Sequence, residues 1–178
     1  RGGEAEEFFS RSFRWRRPSV KKVTTVFGPS GFLAEVFKRR DVATRVGPKI
    51  VNLDRFTPVA HQLHTREDSA PQLLVTRNLE PLYDIDTAML VLQKVRKSFP
   101  GATMTICGSG PERDRLMALA QRLEIDSAVF FTGRVENKQI AALYQSADVM
   151  VNPSLADNMP NSVLEALASG VPVVSTHV

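Results

Sequence analysis

From residue 72 onward, short apolar runs alternate with stretches of helical periodicity, and this alternation decides what the chain can fold into. The runs at 72–76, 103–107, 128–132 and 148–151, and a last one over 171–176, read as strands. Between them, residues 86–99, 111–123, 138–147 and the stretch after Pro160 read as helices. Each has apolar residues three and four apart: Ala88, Leu92, Val95 and Phe99; Leu116, Leu119, Ala120 and Leu123; Ile140, Leu143, Tyr144 and Ala147; Val163, Leu164, Leu167 and Ala168. Strands that are apolar throughout are covered on both faces. With right-handed crossovers, this order predicts an α/β fold with a doubly wound parallel sheet.

Upstream the pattern is weaker. Residues 23–27 read as a strand, 28–31 as a turn, and 32–40 as a short helix with Phe32, Val36 and Phe37 inward. A second extended piece is expected around Lys49-Ile50-Val51. Polar residues then dominate 59–71, which reads as a linker between a first segment, 1–58, and a domain over 72–178. His61 and His64 stand three apart in that linker. A linker lacks the rigid surroundings that orient metal ligands, so no metal site is expected.

Residues 1–22 place Glu4, Glu6 and Glu7 before Arg11, Arg14, Arg16 and Arg17, with Phe8, Phe9, Phe13 and Trp15 between them. Acid before base suits a helix dipole. The favoured reading is a helix packing its aromatics on a sheet; the cluster also permits contact with a membrane surface. The balance of 43% hydrophobic and 24% charged residues is that of a soluble globular protein. No apolar run reaches the eighteen or so residues of a membrane span. The N-terminus has no signal-peptide pattern. The single cysteine, Cys107, rules out an internal disulfide and suits a reducing compartment, the cytoplasm. A formal net charge of +4 is compatible with a nucleotide phosphate without selecting one.

In doubly wound sheets, ligands bind beyond the carboxyl ends of the strands. The loops there are 77–80, 108–110, 133–135 and 152–161. Arg77 stands just past its strand, where a guanidinium could pair with a diphosphate. Gly108 and Gly110 permit close backbone approach, but no dinucleotide fingerprint is present. In the last loop Asp157 precedes Pro160, which suits the first position of a helix, and Glu165 lies within that helix. Ionised carboxylates only accept hydrogen bonds, so this pair suits hydroxyl-rich ligands such as ribose and hexoses. The bland alternative is that Asp157 caps the helix and Glu165 faces solvent. Asp84-Ile85-Asp86 matches a metal-binding pattern of some sugar transferases, yet it directly precedes a helix and reads as an N-cap.

Taken in order, Gly108-Ser109-Gly110-Pro111, Phe131-Thr132-Gly133, Ala147-Asp148-Val149, Pro153-Ser154 and residues 164–174 (Leu-Glu-Ala-Leu-Ala-Ser-Gly-Val-Pro-Val-Val) resemble the donor-binding domain of GT-B glycosyltransferases of retaining family 4. The likeness covers about 72–178. Asp157 and Glu165 occupy the family's signature, an acid followed eight positions later by glutamate. Upstream, residues 29–33 and 54–58 resemble the end of the partner domain and the crossover between domains.

The resemblance implies two Rossmann-like domains and retaining transfer from a nucleotide-diphosphate sugar. It implies front-face substitution and neither a metal nor another cofactor. Glu165 would hold the donor ribose. Asp157, with Asn158, Met159, Pro160 and Asn161, would hold the sugar. Arg77 would face the diphosphate, and Arg134 and Val135 would lie near the base. The acceptor would be a glycan, a lipid or a small molecule, with peripheral contact at the inner membrane face allowed and no nucleic-acid partner. Two departures stand out: Asp157 replaces the usual glutamate, and Leu82, Tyr83 and Asp84 occupy the region of a usual lysine. The chain reads as a piece centred on the donor domain. A sugar-nucleotide epimerase on the same fold and a non-catalytic nucleotide-sugar-binding module are the rival readings.

Overall fold

The computed structural model describes residues 23, 25–39, 41–47, 49–58, 70–136, 138–157 and 159–177. The expectations for 1–22, for His61 and His64 and for most of the linker lie outside them. The chain divides into two units, one of residues 1–50 with 156–160 and 178, the other of 51–155 with 161–177.

In the first unit, β1 (Val26–Gly28) and β2 (Thr44–Val46) pair in parallel around helix α1 (Gly31–Lys38). Ser30 caps α1, its hydroxyl accepting from the Leu33 N–H at 3.3 Å. The strand expected around Lys49–Val51 lies instead at Thr44–Val46, where the Gly47 N–H closes onto the Gly28 carbonyl at 3.0 Å. Ile50 is accordingly exposed. Of the apolar residues expected inward on α1, Val36 is buried and Phe32 is exposed, because an eight-residue helix covers only a narrow strip.

The second unit is a parallel sheet, among the described residues in the order β5-β4-β3-β6-β7. Its strands are β3 (Gln72–Thr76), β4 (Thr103–Cys107), β5 (Val129–Gly133), β6 (Val149–Asn152) and β7 (Val173–Ser175). The crossovers are α2 (Ile85–Ser98), α3 (Arg113–Arg122), α4 (Ile140–Ser146) and α5 (Asn161–Ala168). This is the expected Rossmann-like doubly wound sheet.

Both faces are covered, as the apolar strands require. Leu73 and Val75 point to one side, into a core with Ala88, Met89 and Leu92 of α2 and Leu116 of α3. Leu74 points to the other, against Tyr144 of α4, Ala166 of α5 and Phe56. Phe56 explains why the units divide after Ile50 rather than at the expected linker: segment 51–58 packs on the sheet. The Phe56 ring meets Tyr144 edge-on at 5.9 Å, and the Gln145 side-chain amide donates to the Thr57 carbonyl at 3.1 Å.

Helix α5 differs in detail from its sequence pattern. Ala166 is fully buried and Leu167 is exposed. Pro160 immediately precedes the first helical residue, Asn161, rather than occupying it. The glycine stop is as expected: Gly170 sits at φ 78°, its N–H bonds to Leu167 O at 3.1 Å, and Val171 N–H reaches Ala166 O at 2.9 Å. At the end of α2, Phe99 is exposed, since the chain leaves the helix there at φ −128° ahead of Pro100.

The winding reverses between β5 and β6, and β3 separates the two halves. The topological switch point thus lies at the carboxyl ends of β3 and β6, where open α/β sheets bind ligands.

Candidate functional site

A cavity of about 630 Å³ opens at that edge. Of the residues expected in a site, Arg77, Gly108, Arg134, Val135 and Glu165 border it. Gly110 does not. Asp157, Met159 and Pro160 lie in residues 156–160, which group with the first unit, and Asn158 is outside the described residues. Met159 has φ 50°, the left-handed region that few side chains favour. Asn161 is the exposed first residue of α5.

Glu165 does not sit on a solvated face. It is half-buried, and the Tyr144 hydroxyl lies 3.1 Å from its Oε2. The same hydroxyl is 3.2 Å from Thr76 Oγ1. A phenol has one proton and an ionised carboxylate can only accept. Tyr144 therefore donates to Glu165, and Thr76 donates to Tyr144. Burial pushes the Tyr144 pKa well above its ordinary value; the Thr76 hydrogen bond opposes this and the Glu165 charge adds to it. The phenol stays protonated across the neutral range, so Glu165 keeps its donor and presents the rest of its accepting capacity to the cavity.

Arg77 is fixed from two sides. Its Nε donates to Asn152 Oδ1 at 2.8 Å, from the end of β3 to the end of β6. Its guanidinium lies 5.3 Å from the centre of the Tyr83 ring. Tyr83, one of the three residues that the resemblance sets in the region of a usual lysine, thus supplies a π face to Arg77.

Gly108 and Gly110 allow two strand-end loops to pack backbone on backbone. A Cβ at Gly108 would run into the Arg77 carbonyl oxygen, and one at Gly110 into that of Leu79. The loops are joined by Leu79 N–H to Ser109 O and Glu112 N–H to Leu79 O, both at 3.1 Å. The close approach read from the glycines is thus to the 77–79 backbone.

Asp84 and Asp86 play other parts. Asp84 precedes α2 at φ 44°, and its carboxylate accepts from the Thr87 hydroxyl at 2.7 Å instead of capping a backbone N–H. Asp86 takes two bonds from the Arg115 guanidinium, at 2.7 and 2.6 Å, which hold its carboxyl below the usual range. Among the described residues, no three His, Cys, Asp or Glu converge to hold a metal ion. Nor is any helix among them long and apolar enough to cross a membrane.

Sequence reasoning placed Tyr144 in the core but missed its hydroxyl, and it did not single out Thr76 or Asn152. The available signal was that a buried tyrosine needs a partner for its O–H.

Residues 58–178 match the family described as Glycosyl transferases group 1. The chain belongs to that family. It is 29% identical over 157 residues to glycogen synthase of Mycobacterium tuberculosis, a match covering 88% of this chain and 35% of that protein. Among solved structures it is similar to sucrose-phosphate synthase from Thermosynechococcus elongatus, with TM-score 0.71 and 28% identity over 88% of this chain and 41% of that one. The pneumococcal O-GlcNAc transferase GtfA, solved in complex with UDP and GlcNAc, shares the fold with TM-score 0.71 at 22% identity, covering 92% of this chain and 32% of that one. The chain spans about a third of the length of the curated relatives it matches.

Proposed function

We propose that this chain holds the donor for a retaining glycosyl transfer from a nucleotide-diphosphate sugar. One observation carries the reading: at the β3–β6 switch point, a carboxylate supplied with its own donor and a cation fixed in place converge on one cavity. Its volume of about 630 Å³ is in the range of small-molecule and cofactor sites. Glu165 accepts the ribose hydroxyls. Arg77 neutralises the diphosphate as the bond from its oxygen to the sugar C1 breaks. Arg134 and Val135 border the base. The Ser162 hydroxyl, buried and without a hydrogen-bond partner among the described residues, borders the same cavity, and a ligand oxygen would satisfy it.

The new bond forms between C1 and an oxygen of the acceptor, on the face the diphosphate leaves, and the hydroxyl proton goes to the departing diphosphate. The acceptor is a glycan, a lipid or a small molecule, and the chemistry belongs to carbohydrate biosynthesis in the cytoplasm. Family membership, and a relative of the same fold solved with UDP and GlcNAc, support a nucleotide-sugar as donor.

The test is equilibrium dialysis of the chain against labelled UDP-, GDP- and ADP-sugars, with NMR of any product. Saturable binding of at least one donor is expected, and any transferred sugar keeps its anomeric configuration. Binding of none removes the reading. A free sugar-nucleotide with one inverted carbon would mark an epimerase instead.

A further inference from the structure

We propose that Asn152 is a positioning residue that sets the direction of the Arg77 guanidinium, and that the end of β7 fixes Asn152 in turn. The proposal rests on the donor-binding reading of Arg77. Asn152 is 2% exposed, and its amide has only one orientation that satisfies its surroundings. The Ser175 hydroxyl, on β7, gives its proton to the Thr176 carbonyl at 3.1 Å. It can then only accept from Asn152 Nδ2, at 3.0 Å. The amide oxygen is thereby turned the other way, where it accepts from Ser154 Oγ at 3.1 Å and Arg77 Nε at 2.8 Å. A flipped amide would set an NH2 group against a guanidinium, two donors face to face. The Thr176 hydroxyl donates to the Ser154 carbonyl at 2.6 Å and fastens the Ser154 side of the same network.

The network therefore runs from β7 through β6 to β3, where it reaches Arg77. Arginine loses rotamer freedom on ordering, and a guanidinium held in advance gives up less when it meets an anion. Asn152 does not border the cavity; it acts through Arg77.

The experiment is a double-mutant cycle on the full chain. Affinities for UDP, GDP and ADP, and for uridine, guanosine and adenosine, are measured by calorimetry. The proteins are wild type, Asn152→Ala, Arg77→Ala and the double variant. Asn152→Ala is expected to weaken the bound diphosphate about tenfold. Nucleoside affinity should stay within about twofold, and the Arg77→Ala background should show no further loss. Ser175 is exposed, so Ser175→Ala serves if Asn152→Ala does not fold; a smaller loss, about threefold, is expected, again only when Arg77 is present. A ligand-free readout is solvent exchange of the Arg77 Nε–H by NMR, which should quicken in either variant. Equal losses for nucleoside and diphosphate, additivity with Arg77→Ala, or unchanged Nε–H exchange would each overturn the proposal. Failure of the wild type to bind any diphosphate would instead overturn the donor reading, and this proposal with it.

Discussion

Replacing Tyr144 by phenylalanine isolates one hydroxyl at the centre of the site. The ring stays, with its edge-on contact to Phe56 at 5.9 Å, so no cavity opens. The hydrogen bond to Glu165 at 3.1 Å is lost, and so is the acceptor for Thr76. A hydrogen bond to a charged group contributes about 1.5–3 kcal/mol. Glu165 borders an open cavity, where water replaces part of it, so about 1–1.5 kcal/mol of destabilisation is expected. For a domain of this size each kcal/mol moves Tm by roughly 2–4 °C. Tyr144→Ala removes the buried ring as well and should cost about 3–5 kcal/mol.

The pH dependence carries the sign. Burial raises the Tyr144 pKa in the fold above its unfolded value of about 10. The folded state therefore holds this proton more tightly. Its contribution is complete below pH about 10 and declines as pH rises above that. Phenylalanine has no proton to lose. Urea unfolding at pH 7 and about pH 11 should show the gap between wild type and Tyr144→Phe narrowing at the higher pH. A gap that stays constant, or a phenylalanine variant as unstable as the alanine one, would refute the buried donor.

Other outcomes follow from the same geometry. Gly110→Ala should destabilise by about 1–3 kcal/mol or more in denaturant melts, because its Cβ meets the Leu79 carbonyl and backbone must move. Gly133→Ala meets no atom within 4 Å and should cost only the left-handed backbone at φ 71°, about 1–2 kcal/mol. Asp86→Asn should cost less than about 1 kcal/mol, since the pair with Arg115 is well exposed. Arg115 lowers the Asp86 pKa, so that contribution is present above pH about 4 and fades as pH falls below it. Acid titration of the two proteins checks this.

The alternation of apolar runs and helical periods was enough for the sheet and its two covered faces. The run 103–107 became β4 residue for residue. The last strand was over-read, as 171–176 against Val173–Ser175, because Pro172 has no N–H to pair and the register with β6 starts at Val173. The pair Arg77–Asn152 was not legible, because it joins residues 75 apart and depends on β6 lying beside β3. Alternation predicts parallel strands but not their order. For the same reason Gly108 and Gly110 announced a close approach without saying that the 77–79 backbone was the partner. Periodicity put Tyr144 inward, yet it is blind to a hydroxyl at the end of an inward ring. Glu165 stood out with Asp157 as one of two carboxylates framing a strand-end loop and its helix, and the family spacing then matched; its tether to Tyr144 needed the fold.

The central claim, that Glu165 belongs to a donor site and Asp84 to the scaffold, is tested most directly by one side-by-side calorimetric titration. Wild type, Glu165→Ala and Asp84→Ala are each titrated with whichever of UDP, GDP and ADP binds the wild type. Glu165→Ala should lose affinity strongly, about tenfold or more, while Asp84→Ala binds as wild type does. Equal losses in the two variants, or none in Glu165→Ala, would contradict the site.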